Sequence, residues 1–349
     1  VAARDLLIHR GYRNVVLHED DAAISTGRLF HPVEESGASP RDKVGVRDRV
    51  RLGRSRTIWP AFFLLLRKTW IVWSIGLMLI LFGLPVLGAI VLGLVGLVLA
   101  LGTLPLAFYQ RLMHAVEKAQ WDEVSRVVES IRRANRFMPV KIPGFELIFR
   151  EAEVEAAAGR LEKALKMMAP FEHDSRVERW IYCNRLAVLH GLAGDHQGRI
   201  FYSERAAVAA PDNFSVQIDL AIVVARLGHD PERARRILDR ALELPSSDLV
   251  SHAVPLCRGL IALEEGRSQE AVEHLLQAEE VLRPNLSVFF MPLFYDLCRG
   301  YRALALARLG DRESARLLYT ETRNWMEAWR ETELQDALER ELGAVRAGS

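Results

Sequence analysis

From residue 107 to residue 343, apolar residues recur every three or four positions, and glycine breaks the pattern at intervals. Ala271, Leu275, Ala278 and Leu282 stand at i, i+4, i+7 and i+11, one face of an α-helix. The interrupting glycines are Gly159, Gly194, Gly228, Gly266 and Gly310, separated by 35, 34, 38 and 44 residues. Glycine ends a helix readily because it enters the left-handed region without a side-chain clash. Seven residues before each glycine the residue is small: Ala152, Ala187, Ala221, Gly259 and Ala303. Five after it stand Ala164, Ala271 and Ala315, with Ala234 one place late and Gly198 or Arg199 in the second unit. Small residues at matched places let two helix backbones approach. Pro211, Pro245 and Pro284 follow their glycines by 17, 17 and 18 residues, where proline ends the second helix. The pattern predicts an all-α chain of stacked helix pairs, an α-solenoid in which no unit buries its apolar face alone.

These marks resemble the tetratricopeptide repeat family. The segments LGHDPERARRILDRALELP and EEGRSQEAVEHLLQAEEVLRP carry the likeness best, AGDHQGRIFYSERAAVAAPDN less fully, and AAGRLEKALKMMAP and LGDRESARLLYTET in shortened form. A degenerate leading unit has Ala119 in the glycine place, Trp121 opening the second helix and Val124 five residues after Ala119. The resemblance implies a non-catalytic scaffold that binds a protein or peptide along the first helices of its units. Its offsets place Phe149, Ile181, Asn184, Val188, Ile218, Ile222, Leu256 and Leu260 on or near that groove. Only Asn184 matches the family's backbone-holding asparagine. An apolar groove suits a helix or hydrophobic segment, and the same residues serve equally well as packing between units.

One segment changes the picture. Thr69 to Gln110 is a run of 42 residues without a charge, whereas one bilayer crossing takes about 20. Gly83, Pro85 and Gly88 near its middle predict a turn between spans over Thr69–Phe82 and Ala89–Tyr109. The chain then divides into a short, partly extended N-terminal region (1–45), a basic juxtamembrane segment (46–68), a two-pass transmembrane hairpin (69–110), the solenoid (111–343) and a tail (344–349). Residues 41–68 hold nine Lys or Arg against two Asp, and Arg111, Lys118, Arg126, Arg132 and Arg133 follow the run. Positive flanks on both sides place both ends in the cytoplasm, in the manner of a bacterial inner-membrane protein. Arg47, Arg49, Arg51, Arg54 and Arg56 are set to meet anionic lipid headgroups. Nucleic acid is not the expected partner, because the whole chain carries only +1 and no recognition motif accompanies the arginines. Ala89, Gly93, Gly96 and Ala100 form a small-residue ridge on the second span. It suits packing within the hairpin, self-association or docking on another membrane protein.

Candidate chemistry adds little. There is no nucleotide-binding glycine loop, HExxH or GxSxG, so no enzyme activity and no cofactor is expected. Cys183, Cys257 and Cys298 lie far apart in apolar helix patterns and read as small core residues of a reduced compartment. His18, Glu19, Asp20 and Asp21, with His9 and His31, lack the i, i+4 spacing that would organise a metal site. A long helix is expected over 286–309, with Phe289, Phe290, Phe294 and Tyr295 around Pro292 forming a seam between repeats or a second contact surface. Trp325 and Trp329 are expected to pack the final helix. The sequence thus points to a membrane-anchored scaffold for a cytoplasmic partner, or to an accessory subunit of a membrane enzyme or of an envelope-biogenesis or secretion complex.

Overall fold

The computed structural model describes residues 70, 73–78, 80–82, 85–137, 141–245 and 253–343. The expected N-terminal region, basic segment and tail lie outside the described residues. Among those described, the elements are helices and none is a strand. They fall into two compact units, one holding residues up to Val116 with Asp122–Arg150, the other Glu117–Trp121 with everything from Glu151. The division therefore does not follow the border at 110/111 that the loss of charge suggests.

In the first unit, α1 runs from Pro85 to Glu117, 33 residues with Pro105 inside it and no charge before Arg111. It takes in the expected second span and continues without a break into the first helix of the leading repeat. Residues 73–78 and 80–81 are also helical. The two stretches meet at glycines. A Cβ on Gly76 would lie 2.6 Å from Leu92 Cδ2, and one on Gly88 would collide with Ile80 and come within 2.7 Å of the Gly76 carbonyl oxygen. Backbone contact this close excludes any larger residue. Gly88 is thus a crossing residue and not part of the turn.

Among the described residues, no helix is long and apolar enough to cross a membrane. The side chains of residues 95 and 97–102, inside α1, lie outside the description.

After α1, α2 (Trp121–Ala134) buries Val124, Val127, Val128 and Ile131 on one stripe. Asp122 and Glu123 stand in its first turn and Arg132 and Arg133 in its last, each end matched to the helix dipole. Asn135 holds the loop beyond it, its side chain donating to the Ile142 carbonyl at 2.9 Å and accepting from the Ile142 N–H at 3.1 Å. The buried pair Arg150–Glu146, 2.6 Å apart, lies against Met113.

The helix α3 (Gly144–Ala157) is divided between the units after Arg150, and the second unit continues through α4 (Leu161–Met168), α5 (Arg179–Leu192), α6 (His196–Ala209), α7 (Phe214–Leu227), α8 (Pro231–Leu242), α9 (Ala253–Glu264), α10 (Ser268–Leu282), α11 (Met291–Arg308), α12 (Arg312–Trp329) and α13 (Thr332–Leu342). Gly159, Gly194, Gly266 and Gly310 have φ between +77° and +88°. At each of them the following N–H reaches back to a carbonyl five residues earlier: Arg160 to Glu155, Asp195 to His190, Arg267 to Ala262 and Asp311 to Leu306. That bond satisfies a carbonyl left open at the helix end. Gly228 departs from the pattern. Its φ is −90° and His229 takes the left-handed place at +46°. Ala119, in the glycine place of the leading unit, has φ +50°, and α2 opens at Trp121.

The second helix of three pairs is capped by the aspartate next to the turn. Asp195, Asp230 and Asp311 accept from the N–H of Gly198, Arg233 and Ser314 at 2.9, 2.9 and 3.1 Å, the preferred N-cap chemistry. Ala152, Ala221, Ala303, Ala164, Ala234, Ala271 and Ala315 have no exposed surface. A Cβ on Gly259 would lie 2.7 Å from Leu275 Cγ, so glycine is required where α9 crosses α10.

Two elements differ from expectation. The helix sought over 286–309 begins only at Met291, because Phe290 is left-handed (φ +66°) and a 3-10 turn at Arg283–Asn285 precedes it. Phe289 is buried, while Phe290, Phe294 and Tyr295 are half-buried. Trp329 packs edge-on against Trp121, ring centroids 6.0 Å apart, and its Nε1–H donates to the Glu117 carbonyl at 3.3 Å. It closes on the start of the unit.

Candidate partner-binding face

The first helices of the later pairs, α7, α9, α11 and α13, touch in succession, and their apolar residues fill the layer between the pairs. Of the expected groove residues, Ile218, Ile222, Leu256 and Leu260 lie on α7 and α9 in that layer, and Ile181, Asn184 and Val188 on α5. Ile181, Ile218, Ile222, Leu256 and Leu260 are at most 5% exposed, as is Phe149 in the first unit. As packed, these six side chains offer no surface to a ligand. Asn184 and Val188 are half-buried and retain some.

What the layer does present is polar. Arg226, near the end of α7, is buried and bonded through Nη2 to the Glu331 carboxylate in the turn before α13. Its Nε–H donates to the Tyr301 hydroxyl of α11 at 3.3 Å, with the guanidinium 5.7 Å from the ring centroid. Burial works against the Arg226 charge, but Glu331 and Tyr301 outweigh it, so the group holds its proton more firmly than a free arginine. Tyr301 is raised by burial, against the pull of Arg226.

Arg199 of α6 faces the same space. Its side chain lies across Gly191 of α5, where a Cβ would stand 2.9 Å from Arg199 Cδ and 3.1 Å from Nη1. Burial first, and then the neighbouring Arg226, bring Arg199 down to about 10, while Glu331, Tyr301 and Asp219 pull the other way. Burial pushes Asp219 of α7 up to about 7, with Arg199 opposing. Both side chains keep some solvent contact although protein surrounds them. Among the described residues, neither makes a hydrogen bond or an ion pair within 4.0 Å. A second contact lies alongside: His196 Nε2, at the start of α6, is 3.3 Å from Glu333 Oε1, in the first turn of α13. Two carboxylates at the start of the last helix therefore reach the second and third glycine-marked pairs.

Nothing here resembles an activated nucleophile. Cys183, Cys257 and Cys298 are buried free thiols. Burial raises all three, Cys257 to about 12, so they stay protonated and unreactive. Among the described residues, no group of three His, Cys, Asp or Glu is placed to hold a metal ion. His9, His18, Glu19, Asp20, Asp21 and His31 lie outside them, as do Arg47, Arg49, Arg51, Arg54 and Arg56.

Among the described residues, nothing packs on the ridge of α1 at Gly93 and Gly96. Ala89 and Gly93 are exposed, and a Cβ on Gly93 or Gly96 would meet nothing within 4 Å. The side chain of Ala100 lies outside the description. Gly76 and Gly88 take the packing role instead.

No protein-family model and no curated protein sequence matches the chain. Among solved structures, it is similar to a tetratricopeptide repeat protein from Parabacteroides merdae. The identity is 11% and the TM-score 0.38, over 68% of this chain and 98% of that one.

Proposed function

We propose that this chain is a non-catalytic scaffold of tetratricopeptide-like helix pairs that binds a protein partner at the cytoplasmic face of a membrane. One observation carries the scaffold reading. Six successive turns, at Ala119, Gly159, Gly194, Gly228–His229, Gly266 and Gly310, each place a left-handed residue between paired helices. Arrays of this kind expose extended faces built from many units and serve recognition more than chemistry.

The membrane reading rests on the uncharged run 69–110 of the sequence and on the close crossing at Gly76 and Gly88. The arginines of 47–56 would then lie against anionic headgroups, with the repeats on the same side. The open ridge at Ala89, Gly93 and Gly96 is a surface on which two copies, or another membrane helix, would meet.

A second reading, an accessory subunit of a membrane enzyme or of an envelope-biogenesis or secretion complex, is favoured by that same open ridge. Affinity purification in mild detergent separates the two. The intact chain is compared with one whose residues 69–110 are exchanged for an unrelated hairpin. A partner retained by both chains supports the scaffold. A partner lost with the native hairpin supports the accessory subunit. Release of the intact chain from membranes by alkaline carbonate would remove the integral-membrane reading.

A further inference from the structure

The exposed basic residues of the first unit gather along one helix. α2 buries Val124, Val127, Val128 and Ile131, and its outer ridge carries Arg126, Glu129 and Arg133, with Arg136 and Phe137 in the turn that follows. Glu123 is shared by Arg111 and Arg126 at 2.6 and 2.9 Å, and Glu129 by Arg133 and Arg132 at 3.0 and 3.7 Å. Two carboxylates thus serve four guanidiniums. Among the described residues, Arg136 and Lys141 make no ion pair within 4.0 Å. Exposed pairs of this kind hold weakly, so a phosphate from outside can take the arginines over. The excess is local, since residues 151–349 hold 25 Lys or Arg against 32 Asp or Glu.

Phe137 ends this row. It is 83% exposed, and no large apolar side chain among the described residues is more so. Its N–H donates to the Ala134 carbonyl at 2.9 Å, and Asn135 ties the same turn to Ile142. The direction of α2 adds to this. α1 carries no charge before Arg111, and the three-residue turn after it, with the Arg111–Glu123 bond, folds α2 back along α1. Arg133 stands ten residues beyond Glu123, about 15 Å of helix. The arginines and Phe137 therefore run back toward the charge-free part of α1. Guanidiniums beside an exposed ring suit a bilayer surface, where phosphates meet the charges and the ring enters between headgroups. Nucleic acid would also meet the charges, but it gives no reason for them to return toward an apolar helix.

We propose that the outer face of α2, with Phe137 at its end, docks on the anionic headgroups of the bilayer that α1 enters. This deepens the membrane reading and rests on it. Arg126, Arg133 and Arg136 take the lipid phosphates, and Phe137 anchors the end of the helix. The acidic excess of the second unit leaves that unit without the same attraction.

The test uses the full chain with Ser130→Cys, an exposed position of α2, carrying an environment-sensitive fluorophore. Cys183, Cys257 and Cys298 are buried and stay unlabelled. The chain is reconstituted into phosphatidylcholine nanodiscs with or without phosphatidylglycerol, both holding a headgroup spin-labelled lipid as quencher. Quenching is expected to be at least about twofold stronger in the anionic discs. Salt at about 1 M should remove the difference, and so should Arg126→Gln, Arg133→Gln and Arg136→Gln combined. Phe137→Ser should weaken the quenching in anionic discs.

Equal quenching in the two lipids, or a difference that survives the triple substitution, would overturn the proposal. So would an equal lipid response from a label at Val208→Cys, 81% exposed in the second unit. A Ser130→Cys label that answers single-stranded RNA and not anionic lipid would give the face to nucleic acid. If the triply substituted chain does not fold, the salt dependence decides. Entry into the discs with equal quenching leaves the membrane reading standing and this face refuted. If the chain does not enter the discs, the integral-membrane reading fails, and sedimentation with preformed phosphatidylglycerol vesicles tests the face alone. Binding that the triple substitution weakens about a hundredfold, about fivefold per charge, supports it, and absence of binding refutes it.

Discussion

At the residue scale, the repeat depends on a few left-handed positions, most of which composition reveals. Glycine occupies four of the turns because an L side chain there costs roughly 1–2 kcal/mol. Ala119, His229 and Arg330 adopt the same conformation without being glycine. Only Ala119 could be found from spacing. His229 was masked by the adjacent Gly228, and Arg330 carries no compositional signal. Yet Arg330 ends α12 as the glycines end theirs, the Glu331 N–H reaching the Met326 carbonyl at 2.9 Å. Arg330→Gly is therefore expected to stabilise the chain by about 0.5–1 kcal/mol, the steric relief exceeding the added flexibility of the unfolded chain. Gly310→Ala should cost about 1 kcal/mol. Urea titration of both variants checks the pair, and a loss of stability in Arg330→Gly would show that the arginine side chain matters more than its backbone.

Asp219 supplies a second prediction at this scale. Its folded value, about 7, is raised above the unfolded value near 4. Its contribution to stability is thus fully present below about pH 4 and is lost as pH rises through 7. Asp219→Asn should come nearest to the native chain at pH 4 and exceed it at pH 8, by up to a few kcal/mol. Denaturation midpoints at the two pH values are the measurement. Parallel curves would show that Arg199 pairs with Asp219 closely enough to cancel the burial cost.

At the scale of elements, periodicity identified helices well and their partners poorly. The helix pairs and their small crossing residues were legible because a 3.6-residue repeat and a missing side chain are local facts. The groove was not. Ile218 and Leu256 have the spacing of a ligand-facing stripe, but helical period cannot distinguish a face turned to a ligand from one packed on the next pair. The polar face that does exist was invisible for another reason. Arg226, Tyr301 and Glu331 are 75 and 105 residues apart along the chain and share no motif. The hairpin shows the same limit, since every glycine in it looks alike in sequence. Gly88→Leu is expected to disrupt the crossing, because its neighbours there include the Gly76 backbone, which cannot move aside. Gly93→Leu should leave the hairpin intact. Thermal aggregation in detergent should drop markedly in midpoint for the first variant and little for the second. If Gly93→Leu instead alters oligomeric size with the fold preserved, the ridge is a surface for self-association.

At the scale of the second unit, its earliest and latest residues meet. The Glu117 carboxylate accepts the Phe290 N–H at 3.0 Å, its carbonyl accepts from Trp329, and Trp121 packs on Trp329. Simple arrays unfold piecewise, because each repeat touches only its neighbours. A contact spanning 212 residues instead couples the unfolding of early and late pairs. Trp329→Ala removes the aromatic contact and one hydrogen bond at once, and should cost about 2–3 kcal/mol, less than loss of a fully buried tryptophan. Its more telling consequence is the shape of the transition. The native chain should show a single steep urea transition, whereas Trp329→Ala should show a shallower slope or two steps, as the terminal pairs melt before the middle ones. Tryptophan fluorescence and far-ultraviolet circular dichroism, followed together, provide the reading. Coincident transitions with an unchanged slope in the variant would mean that neighbour packing alone holds the array together, and that the Trp121–Trp329 contact only decorates it.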